Sequence, residues 1–185
     1  MITIIEGVDG TGKSTLCQNL VRNLGGIVYA TPPKILTEER KKIDRFSSPQ
    51  ESFAFYSRGI EIAFAEINQL SKLHRCIFVD RYWISTVATH LALGAKIEVA
   101  EMVKYEDPNF FTVFLTINIK KQSLRFSKRG MTDGDQKLLK HFDEVQDNFC
   151  RLIKSHCRSH LVVDTSEFSE IEVCSLVLKY LKPRL

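Results

Sequence analysis

Ile2-Thr3-Ile4-Ile5-Glu6-Gly7-Val8-Asp9-Gly10-Thr11-Gly12-Lys13-Ser14-Thr15 decides the reading of this chain. Ile2 to Ile5 is a short β-branched run that reads as a fully buried strand. Directly after it, Gly7 to Ser14 fits the spacing G-x-x-x-x-G-K-[ST]. Glycines in that pattern let the backbone turn so that several N–H groups point at one spot, which suits a phosphate. Lys13 is then placed to reach β- and γ-phosphates, and the Ser14 hydroxyl to join a Mg²⁺ shell. From Ser14 on, Leu16, Leu20 and Val21 keep helical spacing, so a helix N-terminus adds its dipole beneath the phosphates. A glycine turn can also join a strand to a helix and bind nothing. The strand before and the helix after favour phosphate binding, with Gly7, Val8, Asp9, Gly10, Thr11, Gly12, Lys13, Ser14 and Thr15 as the nucleotide-binding segment.

Outward from this stretch, strands and helices alternate. Ile27 to Ala30 reads as a second strand, followed by a rigid loop at Thr31-Pro32-Pro33. The charged residues 34–46 read as a solvated helix, and residues 50–73 as a long helix on Phe53, Tyr56, Ile60, Phe64, Ile67 and Leu70. Further strands are expected at 76–79, 111–117 and 161–163, and further helices at 83–93, 120–129, 136–156 and 169–181. Residues 130–135 read as a flap flanked by charge. The pattern calls for an α/β fold of the phosphate-loop type: a five-stranded parallel sheet with helices on both faces and a short lid at about residues 125–136. No repeat, low-complexity tract or linker divides it, so residues 1–185 are expected to form a single domain.

Composition narrows the functional classes. Hydrophobic residues make up 44% and charged residues 26%, ordinary for a soluble globular protein. The net charge of +4 is mild and argues for no nucleic-acid partner. No apolar run approaches the roughly 20 residues of a membrane span, and no basic-then-apolar leader precedes the first strand. Cys17, Cys76, Cys150, Cys157 and Cys174 are scattered and form no C-x-x-C pair, which fits reduced thiols in a cytoplasmic protein rather than a zinc site.

A second constellation follows the third strand. Asp80 emerges on the side where ligands bind in open α/β sheets, where an acid can hold or orient Mg²⁺. Arg81 beside it can grip a second phosphate bidentately. The plainer reading of Asp80 is a cap on the following helix, and the neighbouring nucleotide loop favours the functional one. Lys120, Lys121, Arg125, Lys128 and Arg129 form a basic run without an acid. The lysines read as a solvated face. Arg125 and Arg129 adjoin the glycine-flanked loop, where lid arginines would neutralise charge on a moving phosphoryl group. The phosphate loop itself carries Gly10 and supplies no such charge.

These motifs resemble the thymidylate kinases. Glu6 to Thr15 resembles their phosphate loop, Asp80-Arg81-Tyr82-Trp83-Ile84-Ser85-Thr86 their D-R-Y-x-x-S signature, and Leu115 to Gly130 their strand and basic helix leading to the lid. Within the family, the mitochondrial UMP/CMP kinase branch is similar in its Pro-Pro, in Ala54 to Gly59, in Asp80 to Thr86 and in Arg129-Gly130-Met131. The resemblance implies transfer of the ATP γ-phosphate to a pyrimidine nucleoside monophosphate, usually dTMP, with Mg²⁺, and a homodimer. It implies that Lys13 and the loop amides hold ATP, that Ser14 and Asp80 serve Mg²⁺, and that Arg81 holds the acceptor phosphate. It implies that Asp9 contacts the acceptor sugar, that Tyr82 belongs to the acceptor-side signature, and that Ser85 and Thr86 lie at the base. Phe55 is the aromatic expected at the base, with Arg58 near it.

Three departures fall on the acceptor side: Ala30-Thr31-Pro32-Pro33 in place of roughly R-E-P-G, a Phe55–Arg58 spacing of three instead of four, and Thr89 where a Tyr is usual. They bear on base and sugar, so UMP, CMP or dUMP are alternative acceptors. A deoxynucleoside kinase needs a carboxylate base near the 5′-hydroxyl, and residues 29–34 contain no acid. A non-catalytic nucleotide-binding regulator is the third reading. The retained Lys13, Ser14, Asp80 and Arg81 speak against it.

Overall fold

The computed structural model describes residues 1–184, without the side chain of Asp133. Five strands, β1 (Ile2–Gly7), β2 (Ile27–Ala30), β3 (Ile77–Asp80), β4 (Phe110–Thr116) and β5 (His160–Asp164), pair in parallel in the order β2-β3-β1-β4-β5. β1 is the central strand, which accounts for the burial of every residue from Thr3 to Gly7. Its register sets Ile5 beside Asp80 and Gly7 beside Leu115. The phosphate loop and the Asp80-Arg81 corner therefore leave the sheet at the same end. Gly7 is required there: its φ is +145°, and an added Cβ would lie 2.3 Å from the Leu115 carbonyl oxygen.

Strand alternation divides the core in two. Ile5, Phe78, Val113 and Leu115 face α1 (Lys13–Leu24) and α9 (Glu170–Leu181), packing on Leu16, Leu20, Val177 and Leu181. Ile4, Ile77, Val79 and Phe114 face the other way, onto α3 (Pro49–Leu70), α4 (Trp83–Ala92) and α8 (Phe142–His156). Both faces of the sheet are thus covered, as parallel strands require. Burying each large apolar side chain contributes about 2 kcal/mol. Between these elements lie a 3-10 turn (Lys34–Leu36), α2 (Thr37–Phe46), α5 (Val99–Val103), α6 (Ile119–Arg129) and α7 (Asp133–Leu139). The charged α2 has no buried residue, as its sequence implied.

Three details differ from the sequence expectation. The helix expected over 136–156 is two helices, α7 and α8, because His141 leaves helical backbone (φ −112°, ψ 19°). The expected flap at 130–135 also shortens to a three-residue link. Thr132 caps α7, its hydroxyl accepting from the Asp135 N–H while the Asp135 carboxylate accepts from the Thr132 N–H. The five-residue α5 has too few residues to show a period and was not expected.

No helix among the described residues is long and apolar enough to cross a membrane. The cysteines are free, and all but Cys150 are buried.

Candidate active site

The loop from Val8 to Gly12 closes on itself. Thr11 Oγ1 and Lys13 Nζ both donate to the Val8 carbonyl, at 2.9 and 2.8 Å. Gly12, with φ +95°, opens α1 with no side-chain cap and no acid in the first turn. The orphan N–H groups of that turn and the dipole behind them are therefore left for an anion. An open groove of about 490 Å³ runs along this loop, lined by residues 9–16, Arg81, Arg125, Arg129, Thr165, Phe168 and the start of α9. Among the described residues no three His, Cys, Asp or Glu side chains form a metal cluster.

Charge concentrates where β1 and β3 end. Asp9 pairs with Arg81 and lies 4.0 Å from Lys13. Burial alone would raise the Asp9 pKa, but Arg81, Lys13 and Arg129 pull it down to about 2. Burial, reinforced by Arg81, lowers Lys13 to about 8, with Asp9, Asp80 and Glu6 opposing. Ser14 Oγ donates to Asp80 Oδ2 at 2.5 Å, while Asp80 Oδ1 is buried without a partner. Two oxygens so close, one on a carboxylate with an unused lone-pair oxygen, suit a hard divalent cation, and the residues present fit Mg²⁺. Arg81 is the one non-glycine residue with positive φ among the described residues, at +68°. That backbone costs roughly 1–2 kcal/mol, so the surroundings must hold it.

The basic helix α6 docks onto the phosphate loop. Gln122 Nε2 donates to the Asp9 carbonyl at 2.7 Å and Arg125 Nη1 to the Gly10 carbonyl at 2.8 Å. Arg125 also donates to Thr165 Oγ1 and O, clamping the loop after β5 to the phosphate loop. Arg129 stacks over Phe126 and pairs with Asp135 at 2.8 Å. Both arginines line the groove, each already engaged by protein groups. A Cβ on Gly10 would come within 3.2 Å of the Gln122 and Phe126 side chains, so a larger residue there would require α6's side chains to give way.

The residues expected on the acceptor side are less well gathered. Phe55 is 4% exposed beneath Arg58, whose guanidinium lies 5.6 Å from the Phe55 ring and pairs with Glu39. Neither lines the groove, nor the small cavity between Asp9, Arg81, Thr89 and α8. Tyr82 stands in the core instead of at the groove, its ring against Phe110. The large apolar area of that ring outweighs its hydroxyl, which is buried unpaired. Ser85 spends its hydroxyl on Glu6, and buried Thr86 turns its carbonyl to His90.

Sequence reading assigned no role to Glu6 or Gln122. Glu6 is fully buried and accepts from the Tyr82 N–H at 3.0 Å, the Ser85 N–H at 3.2 Å and the Ser85 hydroxyl. Burial raises its pKa to about 7 against the hydrogen bonds from Ser85 and the charges of Arg81 and Lys13. An acid closing a buried strand was the available signal. For Gln122 it was a polar residue one helical turn from Phe126 on the buried face of α6.

Comparison with known proteins gives a consistent picture. The thymidylate kinase family description matches residues 5–174. A thymidylate kinase of Campylobacter curvus is 28% identical over 184 residues, covering 90% of this chain and 92% of its own. The structure of a thymidylate kinase from Candida albicans superposes with a TM-score of 0.81 at 18% identity, over 99% of this chain and 91% of that one. One from Ehrlichia chaffeensis gives 0.72 at 17% identity, over 98% of each. These two likenesses concern the fold.

Proposed function

The chain belongs to the thymidylate kinase family, and on that premise we propose that it transfers the γ-phosphate of ATP to dTMP, giving dTDP and ADP. The observation that carries this is the meeting of two anion sites at the ends of β1 and β3: the loop amides with Lys13, and Arg81 one position beyond Asp80. Two phosphate sites side by side are what a phosphoryl transfer between nucleotides needs.

The chemistry asks little of acid–base groups. The acceptor phosphate oxygen is already anionic at neutral pH, so no general base is required. The chain's own residues position and neutralise. Lys13 and the amides at the start of α1 hold the β- and γ-phosphates. Arg81 orients the acceptor phosphate once its pairing with Asp9 gives way. Arg129 turns from Asp135 toward the moving phosphoryl group, while Arg125 keeps the loop after β5 beside the purine. Thr165 to Phe168 supply the wall against which adenine rests. Ser14 and Asp80 would hold Mg²⁺, which when bound neutralises phosphate oxygens. The segment from Arg125 to Gln136 acts as the lid on a single domain, in a cytoplasmic homodimer.

A panel of dTMP, dUMP, dCMP, UMP, CMP and free nucleosides with ATP and Mg²⁺, read by coupled ADP release, tests this. Preference for dTMP supports the reading. Preference for UMP, CMP or dUMP moves the acceptor to the alternative suggested by Thr31 to Pro33, Arg58 and Thr89. Turnover of thymidine alone overturns it.

A further inference from the structure

Arg81 has one task in the proposed reaction and an unfavourable backbone in which to perform it. The peptide that joins it to Tyr82 is gripped from both ends by side chains outside the phosphate sites. Thr31 Oγ1 donates to the Arg81 carbonyl at 3.0 Å, and Glu6 Oε1 accepts from the Tyr82 N–H at 3.0 Å. On the other side of Arg81, its N–H donates to the Ile5 carbonyl at 3.0 Å, and the Thr31 N–H donates to the Asp80 carbonyl at 3.2 Å. α4 begins immediately beyond with Tyr82 at its cap, and that side chain caps nothing. Glu6, from a different strand, supplies the missing acceptor for the Tyr82 and Ser85 N–H groups.

We propose that Glu6 and Thr31 are positioning residues for the acceptor phosphate, holding the Arg81–Tyr82 peptide so that the Arg81 guanidinium stays aimed at the site shared with Asp9. A non-glycine residue keeps a left-handed backbone only where its surroundings over-determine it. Here two side chains fix the one peptide plane that sets the exit direction of Arg81. Glu6 sits at the end of β1 and Thr31 just past β2, the strands flanking β3 in the sheet. The corner is therefore built from three neighbouring strand ends at once.

The role rests on the kinase reading above, and the test separates the two. Steady-state kinetics of the full chain are measured with ATP and dTMP for wild type, Thr31→Val, Thr31→Ser, Glu6→Leu and Glu6→Gln. Thr31→Val is expected to raise KM for dTMP roughly tenfold, the loss of one hydrogen bond, and to leave KM for ATP within about twofold. Thr31→Ser, which keeps the hydroxyl, restores the wild-type value. Glu6→Leu behaves as Thr31→Val if it folds, and Glu6→Gln, which keeps an acceptor for both N–H groups, stays close to wild type. Should Glu6→Leu fail to fold, the half-buried Thr31 carries the test. An unchanged dTMP KM in Thr31→Val, or equal rises for ATP and dTMP, overturns the positioning role while leaving the kinase reading intact. Absence of transfer by the wild type to any monophosphate overturns both.

Discussion

Ser14 Oγ and Asp80 Oδ2 lie 2.5 Å apart although 66 positions separate them in the chain. The β1–β3 pairing brings them together, since Ile5 is in register with Asp80. Asp80→Asn keeps the size and one acceptor oxygen but removes the charge. It is expected to lower kcat by about 100-fold or more and to shift the Mg²⁺ requirement upward. A Mg²⁺ titration at saturating ATP checks this, and an unchanged Mg²⁺ midpoint would count against the pair as the cation site.

Arg81 and Lys13 carry the same charge but different tasks in the proposed reaction. Arg81→Lys retains the charge and loses the bidentate fork, so KM for the acceptor is expected to rise at least tenfold with KM for ATP nearly unchanged. Lys13→Ala strips the donor phosphates of their buried cation and should abolish transfer. Initial-rate measurements with each substrate varied separately distinguish the two patterns.

Arg125 clamps Gly10 to Thr165 through three hydrogen bonds. Arg125→Met keeps much of the stem and removes the donors. The expected result is weaker ATP binding by about tenfold and little effect on dTMP affinity, measured by calorimetry with each nucleotide alone. Equal losses for both nucleotides would mean that the clamp serves the whole fold.

Two carboxylates, Glu6 fully buried and Asp9 partly exposed, give stability opposite dependences on pH. Glu6 is raised from 4.5 to about 7 in the folded chain. Between those values the native state holds more protons than the unfolded one, so this contribution is complete below 4.5 and lost as pH rises through 7. Asp9 is lowered from 3.8 to about 2, so its contribution is present above 3.8 and lost as pH falls toward 2. Denaturant unfolding across this range checks both. Glu6→Gln should remove the upper slope and leave the lower one.

The sequence made the sheet, the phosphate loop and the order of the elements legible because each rests on local pattern. Ile2 to Gly7 followed by α1 has one economical reading, and the apolar spacing from Phe53 to Leu70 places the start of α3 within a residue of Pro49. The acceptor side was less legible because its residues are assigned by contacts distant in sequence. Nothing in the order Asp80-Arg81-Tyr82 says that Tyr82 turns into the core or that Glu6 takes the Ser85 hydroxyl. Arg125 and Arg129 were found as cations near a lid, but their partners at Gly10, Thr165 and Asp135 depend on how closely α6 settles on the loop. The split between α7 and α8 escaped because Leu139, Phe142 and Val145 continue one apolar stripe across the break.

Lys13 and Arg81 share the Asp9 carboxylate, Arg129 holds Asp135, and Arg125 donates three hydrogen bonds to carbonyl and hydroxyl oxygens. A phosphate arriving in the groove therefore meets three cations already paired with a carboxylate and one, Arg125, engaged by neutral oxygens. It takes the place of an anion the protein already supplies, and the displaced carboxylate goes to water. Such an exchange sheds fewer small ions than four free cations would. Nucleotide affinity consequently falls with ionic strength less steeply than the density of arginine and lysine suggests.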